Sequence, residues 1–155
     1  MRIPCDHKKY KPMKRIFLAL LVLSACNGTP GTAPEQQNVA TVKAMFDAFN
    51  AHDWEKMASY YAENAQFLDP SFGTEYVTQT KAETSAKYKE MEQMFPNVHD
   101  EVLGLYPSGD KVFVEFVSTG TAADGSSFRL PIACVLTISD GKIVRDATYY
   151  NNAQP

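Results

Sequence analysis

Between Asn38 and Asn50 the apolar residues Val39, Val42, Met45, Phe46 and Phe49 recur at three- and four-residue steps, which predicts an amphipathic helix with one buried stripe. Asp53 can cap a second, short helix whose Trp54, Met57, Tyr60 and Tyr61 turn inward. The apolar run "AQFLD" (65–69) is stopped at once by Pro70 and reads as a strand. Thr80 and Glu83 form a capping box that starts a third helix, which carries Tyr88 and Met91 and ends before Pro96. From Asn97 the period changes from 3.6 to 2. The turn signals "PSGD" (107–110), "ADGS" (123–126) and "SDG" (139–141) cut this stretch into four antiparallel strands. Helices first and a meander second predict an α+β domain, with three helices packed on one face of a curved, mainly antiparallel sheet.

One strand says more than the others. In "FRLPIACVLTI" (128–138) both alternating sets are apolar, Leu130, Ile132, Cys134 and Leu136 on one side and Ala133 and Val135 on the other. One set covers the core; the other needs a cover as well, and a second copy of the chain supplies it. A homodimer through the convex face of the sheet is therefore expected, with Cys134 near the interface.

The N-terminal part follows another logic. Met13, Lys14 and Arg15 precede the apolar run "IFLALLVL" (16–23), which falls short of the roughly 20 residues that span a bilayer. It leads into "LSAC" (23–26), which resembles the lipobox of bacterial lipoproteins, and the resemblance implies that Cys26 is lipidated and begins the mature chain. The signal is complete from Met13, so the residues before it fit a start codon placed too far upstream. Residues 1–25 are expected to be a lipoprotein signal peptide, 26–37 a flexible tether of Gly, Pro, Thr and Gln, and 38–152 the folded domain. The destination is the cell envelope, on the periplasmic or outer-membrane side, with the membrane as a partner through the lipid.

Removing the leader changes the charge. Nine Lys and Arg then face seventeen Asp and Glu, a net of about −8, which repels phosphate backbones and argues against nucleic-acid binding. Cys134 is the only thiol left beyond Cys26, so the domain can form no internal disulfide.

The segments "AFNAHDWEKMASYYAENAQFLDP" (48–70), "FP" (95–96) and "DGKIVRDATYYNN" (140–152) together resemble the SnoaL-like branch of the nuclear transport factor 2 superfamily. The resemblance covers the whole domain. It implies a cone-shaped fold, open at one end, that holds a small apolar or aromatic molecule without a cofactor. It also implies scope for acid/base chemistry of the isomerase, dehydratase or cyclase type. Asp69 matches the general base of the ketosteroid isomerases in this superfamily. Their oxyanion donors are missing: Met45 stands where they carry a tyrosine, and Ala133 where they carry a protonated aspartate. Thr148 occupies the position of the epoxide hydrolases' water-activating aspartate, and Asp146, two residues earlier on the same face, can take its place beside Tyr150.

The catalytic candidates are thus Asp69, Asp146 and Tyr150, and the ligand-contacting candidates are Trp54, Tyr61, Phe116 and His99. Asp69 fits a turn ahead of Pro70 as well as it fits a base. If it shares the buried face of Phe67, desolvation should raise its affinity for protons. His52 falls in a connector, and Arg129 interrupts an apolar strand. No metal-ligand spacing, phosphate loop or nucleophile motif is present. The alternative to an enzyme is a non-catalytic module for ligand capture or dimeric interaction.

Overall fold

The structure is a computed structural model and describes residues 31–151. Residues 1–30, including the leader, Cys26 and the first part of the expected tether, lie outside the described residues, as do 152–155. The elements run α1 (Ala33–Asn50), α2 (Trp54–Ser59), β1 (Tyr61–Leu68), β2 (Val77–Thr80), α3 (Lys81–Met94), β3 (His99–Ser108), β4 (Lys111–Thr121), β5 (Ser127–Ser139) and β6 (Lys142–Tyr149). The α+β class is as expected.

The first helix begins earlier than its apolar stripe. Thr32 caps it and Glu35 reaches back to complete a capping box, with Pro34 in the first turn, so residues 33–37 are helix and not tether. Tertiary contacts hold this start in place. Glu35 accepts from the Gly109 N–H at 2.9 Å, and Asn38 donates to the Gly109 carbonyl at 3.1 Å, so the helix start is fixed to the β3–β4 turn. At the other end Asn50 brackets the Asp100 backbone, with 2.8 Å hydrogen bonds to its N–H and its carbonyl. Asp53 caps α2, and Thr80 with Glu83 caps α3.

The six strands lie in the order β2-β1-β6-β5-β4-β3. All neighbours are antiparallel except β1 and β6. Those two can pair in parallel because α3 and four strands intervene, enough chain for a crossover. The short β2 escapes the sequence pattern because its four residues show no alternation; pairing with β1 defines it.

Burial along β5 gives the cone its direction. Its inward residues Cys134, Leu136 and Ile138 are buried, whereas Phe128, Leu130 and Ile132 are only half-buried. The cone is therefore closed at the β3–β4 and β5–β6 turns, where the Ile138 N–H bonds to the Asp110 carbonyl, and open toward Ser127. Cys134 belongs to this inward set and is 4% exposed. The expectation that it lies near a convex interface is thus corrected, since strand alternation turns Ala133 and Val135 outward in its place. On the outward face Tyr106 is paired with Phe113 and Phe113 with Val135, leaving Tyr106 (54%) and Phe113 (42%) exposed.

Candidate functional site

The concave face and the three helices enclose a cavity of about 350 Å³. Its walls are apolar: Met45, Phe46 and Phe49 come from α1, Met57 from α2, Phe116 from β4 and Ile132 from β5. Phe46 meets Phe116 edge-on at 5.0 Å, and Phe49 meets Tyr88 edge-on at 5.4 Å. Three aspartates, Asp69, Asp100 and Asp146, break this lining, with the exposed Glu90 beside them.

Asp69 follows β1 at once; it closes the turn and also lines the cavity. Its Oδ1 accepts from the Ser71 N–H at 2.8 Å, closing the turn at Pro70, and from the Tyr150 hydroxyl at 2.9 Å. Its Oδ2 is paired with the Lys87 ammonium at 2.9 Å, while the whole group faces the cavity. Burial pushes its carboxyl up, but the Lys87 charge and the donors from Lys87 and Ser71 outweigh it, and the net shift is downward. The expectation of a raised proton affinity is therefore corrected; the missing piece was the lysine. Tyr150 is pushed up to about 12, by burial and then by the Asp69 charge it donates to.

Asp146 lies deeper, beside Phe67 in the sheet register. It is 8% exposed and satisfied on both oxygens, by the Tyr61 hydroxyl at 2.9 Å and the Thr148 hydroxyl at 2.8 Å. Burial raises its proton affinity despite those two donors. Burial likewise raises Tyr61 and Cys134 well above their ordinary ranges, which keeps the thiol protonated and unreactive.

Asp100 stands across the cavity on β3, opposite Ser118 of β4. It is 6% exposed, and its Oδ1 is buried without a hydrogen-bond partner. Burial pushes this carboxyl up to about 6, with Ser118 pulling it part of the way back.

Of the four residues expected to touch a ligand, Tyr61 and Phe116 line the cavity. Trp54 and His99 do not. Trp54 is core: its indole N–H donates to Glu92 at 2.6 Å and its ring stacks on His52, which itself reaches Glu92 and the Val98 carbonyl, both at 2.9 Å. These bonds fasten the α1–α2 connector to α3. His99 is exposed, and the strand parity that turns it outward turns Asp100 inward. That signal was legible, because Asp100 shares parity with the apolar Val98 and Val102. Lys87 was missed too, although it lies three residues after the buried Thr84 and one before Tyr88, on the face that α3 turns to the sheet.

The SnoaL-like domain family matches residues 42–146, which include every residue lining this cavity except Thr148 and Tyr150. The chain belongs to the SnoaL-like domain family. Comparison with curated proteins gives no match. Among solved structures, this SnoaL-like domain is similar to a hypothetical protein of ketosteroid isomerase-like fold from Catenulispora acidiphila, solved in complex with trimethylamine. That pair is 23% identical over 72% of this chain and 85% of the other, with a TM-score of 0.64. A proposed SnoaL-like polyketide cyclase from Jannaschia sp. CCS1 is 20% identical over 80% and 92%, at 0.68. An LEH-like epoxide hydrolase from M. tuberculosis is 13% identical over 76% and 85%, at 0.65. At these identities the likeness is one of fold. Within the SnoaL-like cone Met45 does line the cavity, but Ala133 points outward, and the inward positions beside it are Ile132 and Cys134. The oxyanion donors of the isomerases therefore have no counterpart at those positions.

Proposed function

We propose that this SnoaL-like domain captures a small apolar or aromatic molecule in its cone and holds it, without a cofactor, at a membrane to which a lipid on Cys26 ties it. The observation that carries this reading is how the carboxylates are used. Asp69 and Asp146 have every oxygen engaged by the protein's own donors, and Asp69 is held as an ion pair in an otherwise apolar cavity. That arrangement suits a rigid wall better than a base poised to take a proton. Native mass spectrometry of the full-length protein should show a co-purified small molecule, and Asp69→Asn should keep it. Loss of the molecule in that variant would count against capture alone.

Proton transfer of the isomerase, dehydratase or cyclase type is the second reading. It is favoured by Asp100 and Asp146, two carboxyls of raised proton affinity in one cavity. Turnover of unsaturated ketones or epoxides, abolished by Asp146→Asn, would establish it.

The anchor rests on the "LSAC" pattern. Among the described residues no helix is long and apolar enough to cross a membrane. Multiple acylation of one cysteine would supply the attachment, since a single chain binds only marginally. Fatty-acid labelling lost in Cys26→Ser is the expected result. We also propose a homodimer through the outward face of the sheet, now centred on Tyr106, Phe113 and Val135 in place of Cys134.

A further inference from the structure

We propose that Asp100 is the recognition group of the cavity, and that the captured molecule is an apolar or aromatic compound ending in a protonated amine, whose N–H bonds to the free Oδ1. This deepens the capture reading and rests on it. Of the three aspartates in the lining, Asp100 alone keeps a buried oxygen without a partner. A buried acceptor left without a donor costs free energy, so a molecule that supplies the donor regains it on binding.

Charge selects the class of donor. Asp69, Asp100, Asp146 and, at the rim, Glu90 line the cavity against one ammonium, Lys87, which is already bound to Asp69. An anion would meet this field unfavourably, a neutral alcohol would gain one hydrogen bond, and a cation would gain the bond and the charge pairing. The surroundings of Asp100 favour an organic cation in particular. Asn50 fixes the Asp100 backbone next to Phe49, and Phe116 is two residues from Ser118 on the same inward face. Both rings belong to the cavity lining, and aromatic rings attract an ammonium group through their negative faces. A metal ion is a poor alternative occupant, because among the described residues no three His, Cys, Asp or Glu side chains gather to hold one.

The test uses three probes of one shape, benzylamine, benzyl alcohol and benzoate, titrated calorimetrically into the full-length protein. Benzylamine should bind at least about tenfold more tightly than benzyl alcohol, and benzoate should not bind; tenfold corresponds to about 1.4 kcal/mol. Asp100→Asn should remove the preference for the amine and leave the alcohol unchanged. Thermal unfolding of the variant shows that it folds, and the three wild-type titrations stand without it. Equal affinity for amine and alcohol would overturn the amine assignment while sparing capture. Absence of binding by all three would overturn both.

Discussion

Lys87 sets the chemistry of Asp69 by being 2.9 Å away, and its ammonium also lies 4.1 Å from the centre of the Phe72 ring. Lys87→Met keeps the stem and removes the charge. Burial then acts on Asp69 without opposition, and its carboxyl should titrate above the ordinary range in place of below it, as side-chain NMR would show. A shift that stayed downward would mean that the turn donor from Ser71 is the dominant cause. Asp100 gives the opposite sign. Its pKa is raised in the fold, so its contribution favours the folded state below the unfolded value near 3.8 and is lost as pH rises through about 6. Above that the ionised, half-partnered carboxylate costs up to about 3 kcal/mol. Asp100→Asn should therefore gain stability relative to wild type between pH 4 and 7.5, read as urea midpoints at the two ends of that range. A difference that does not change with pH would show that the wild-type group is not desolvated.

Among the elements, α3 is the one whose attachment matters most to the cavity, since it brings Lys87, Tyr88 and Met91 to it. Glu92 is its fastening, taking the Trp54 indole on one oxygen and His52 on the other. Glu92→Ala leaves a buried indole N–H without a partner and should destabilise the protein by about 1–3 kcal/mol in urea unfolding, with loss of ligand affinity as α3 loosens. At the mouth, a Cβ on Gly120 would come within 2.5 Å of the Phe128 ring and 3.0 Å of the Phe95 Cβ. Gly120→Ala should therefore displace the edge-to-face pair of Phe95 and Phe128, seen as a change in their aromatic NMR shifts. Much of this architecture was legible in the sequence because it is local. Thr80 with Glu83, Asp53, and the Val42–Phe49 stripe each state their element within a few residues. What depends on contacts between distant segments was not. Trp54 had the helical spacing of a core residue and was also expected to touch a ligand; its bond to Glu92, thirty-eight residues on, holds it in the core. The inward turn of Asp100 instead of His99 follows from a parity already present in the chain, which Asp100 shares with Val98 and Val102.

At the scale of the whole molecule, the outward face of the sheet offers Tyr106, Phe113 and Val135 in one row, with Tyr149 beside Ala133 in the next. Phe113→Glu should abolish the proposed dimer without touching the cavity, because Phe113 lies on the opposite face from Val114 and Phe116. Light scattering at tens of micromolar, about the concentration where weak pairs form, would show a halved mass. A wild-type monomer under the same conditions would refute the assembly.

The chain enters the domain at the closed tip of the cone, where Glu35 and Asn38 hold the first turn of α1 against Gly109. Only residues 27–31 separate Cys26 from the capping Thr32, a leash of at most about 20 Å when fully drawn out. A lipid on Cys26 would therefore hold the tip down and leave the mouth looking away from the bilayer, toward the aqueous phase. If the proposed lipid and ligand capture both hold, such a vessel would fill from the water above it, and a molecule dissolved among the lipid tails would first have to come out of them to be caught. Transferring the lipid anchor to the C-terminus, where Tyr150 sits beside Asp69 at the cavity, should invert the vessel. A fluorescent amine added to vesicles would then reach the two arrangements by different routes, quickly from solution in the first and only by way of the membrane in the second.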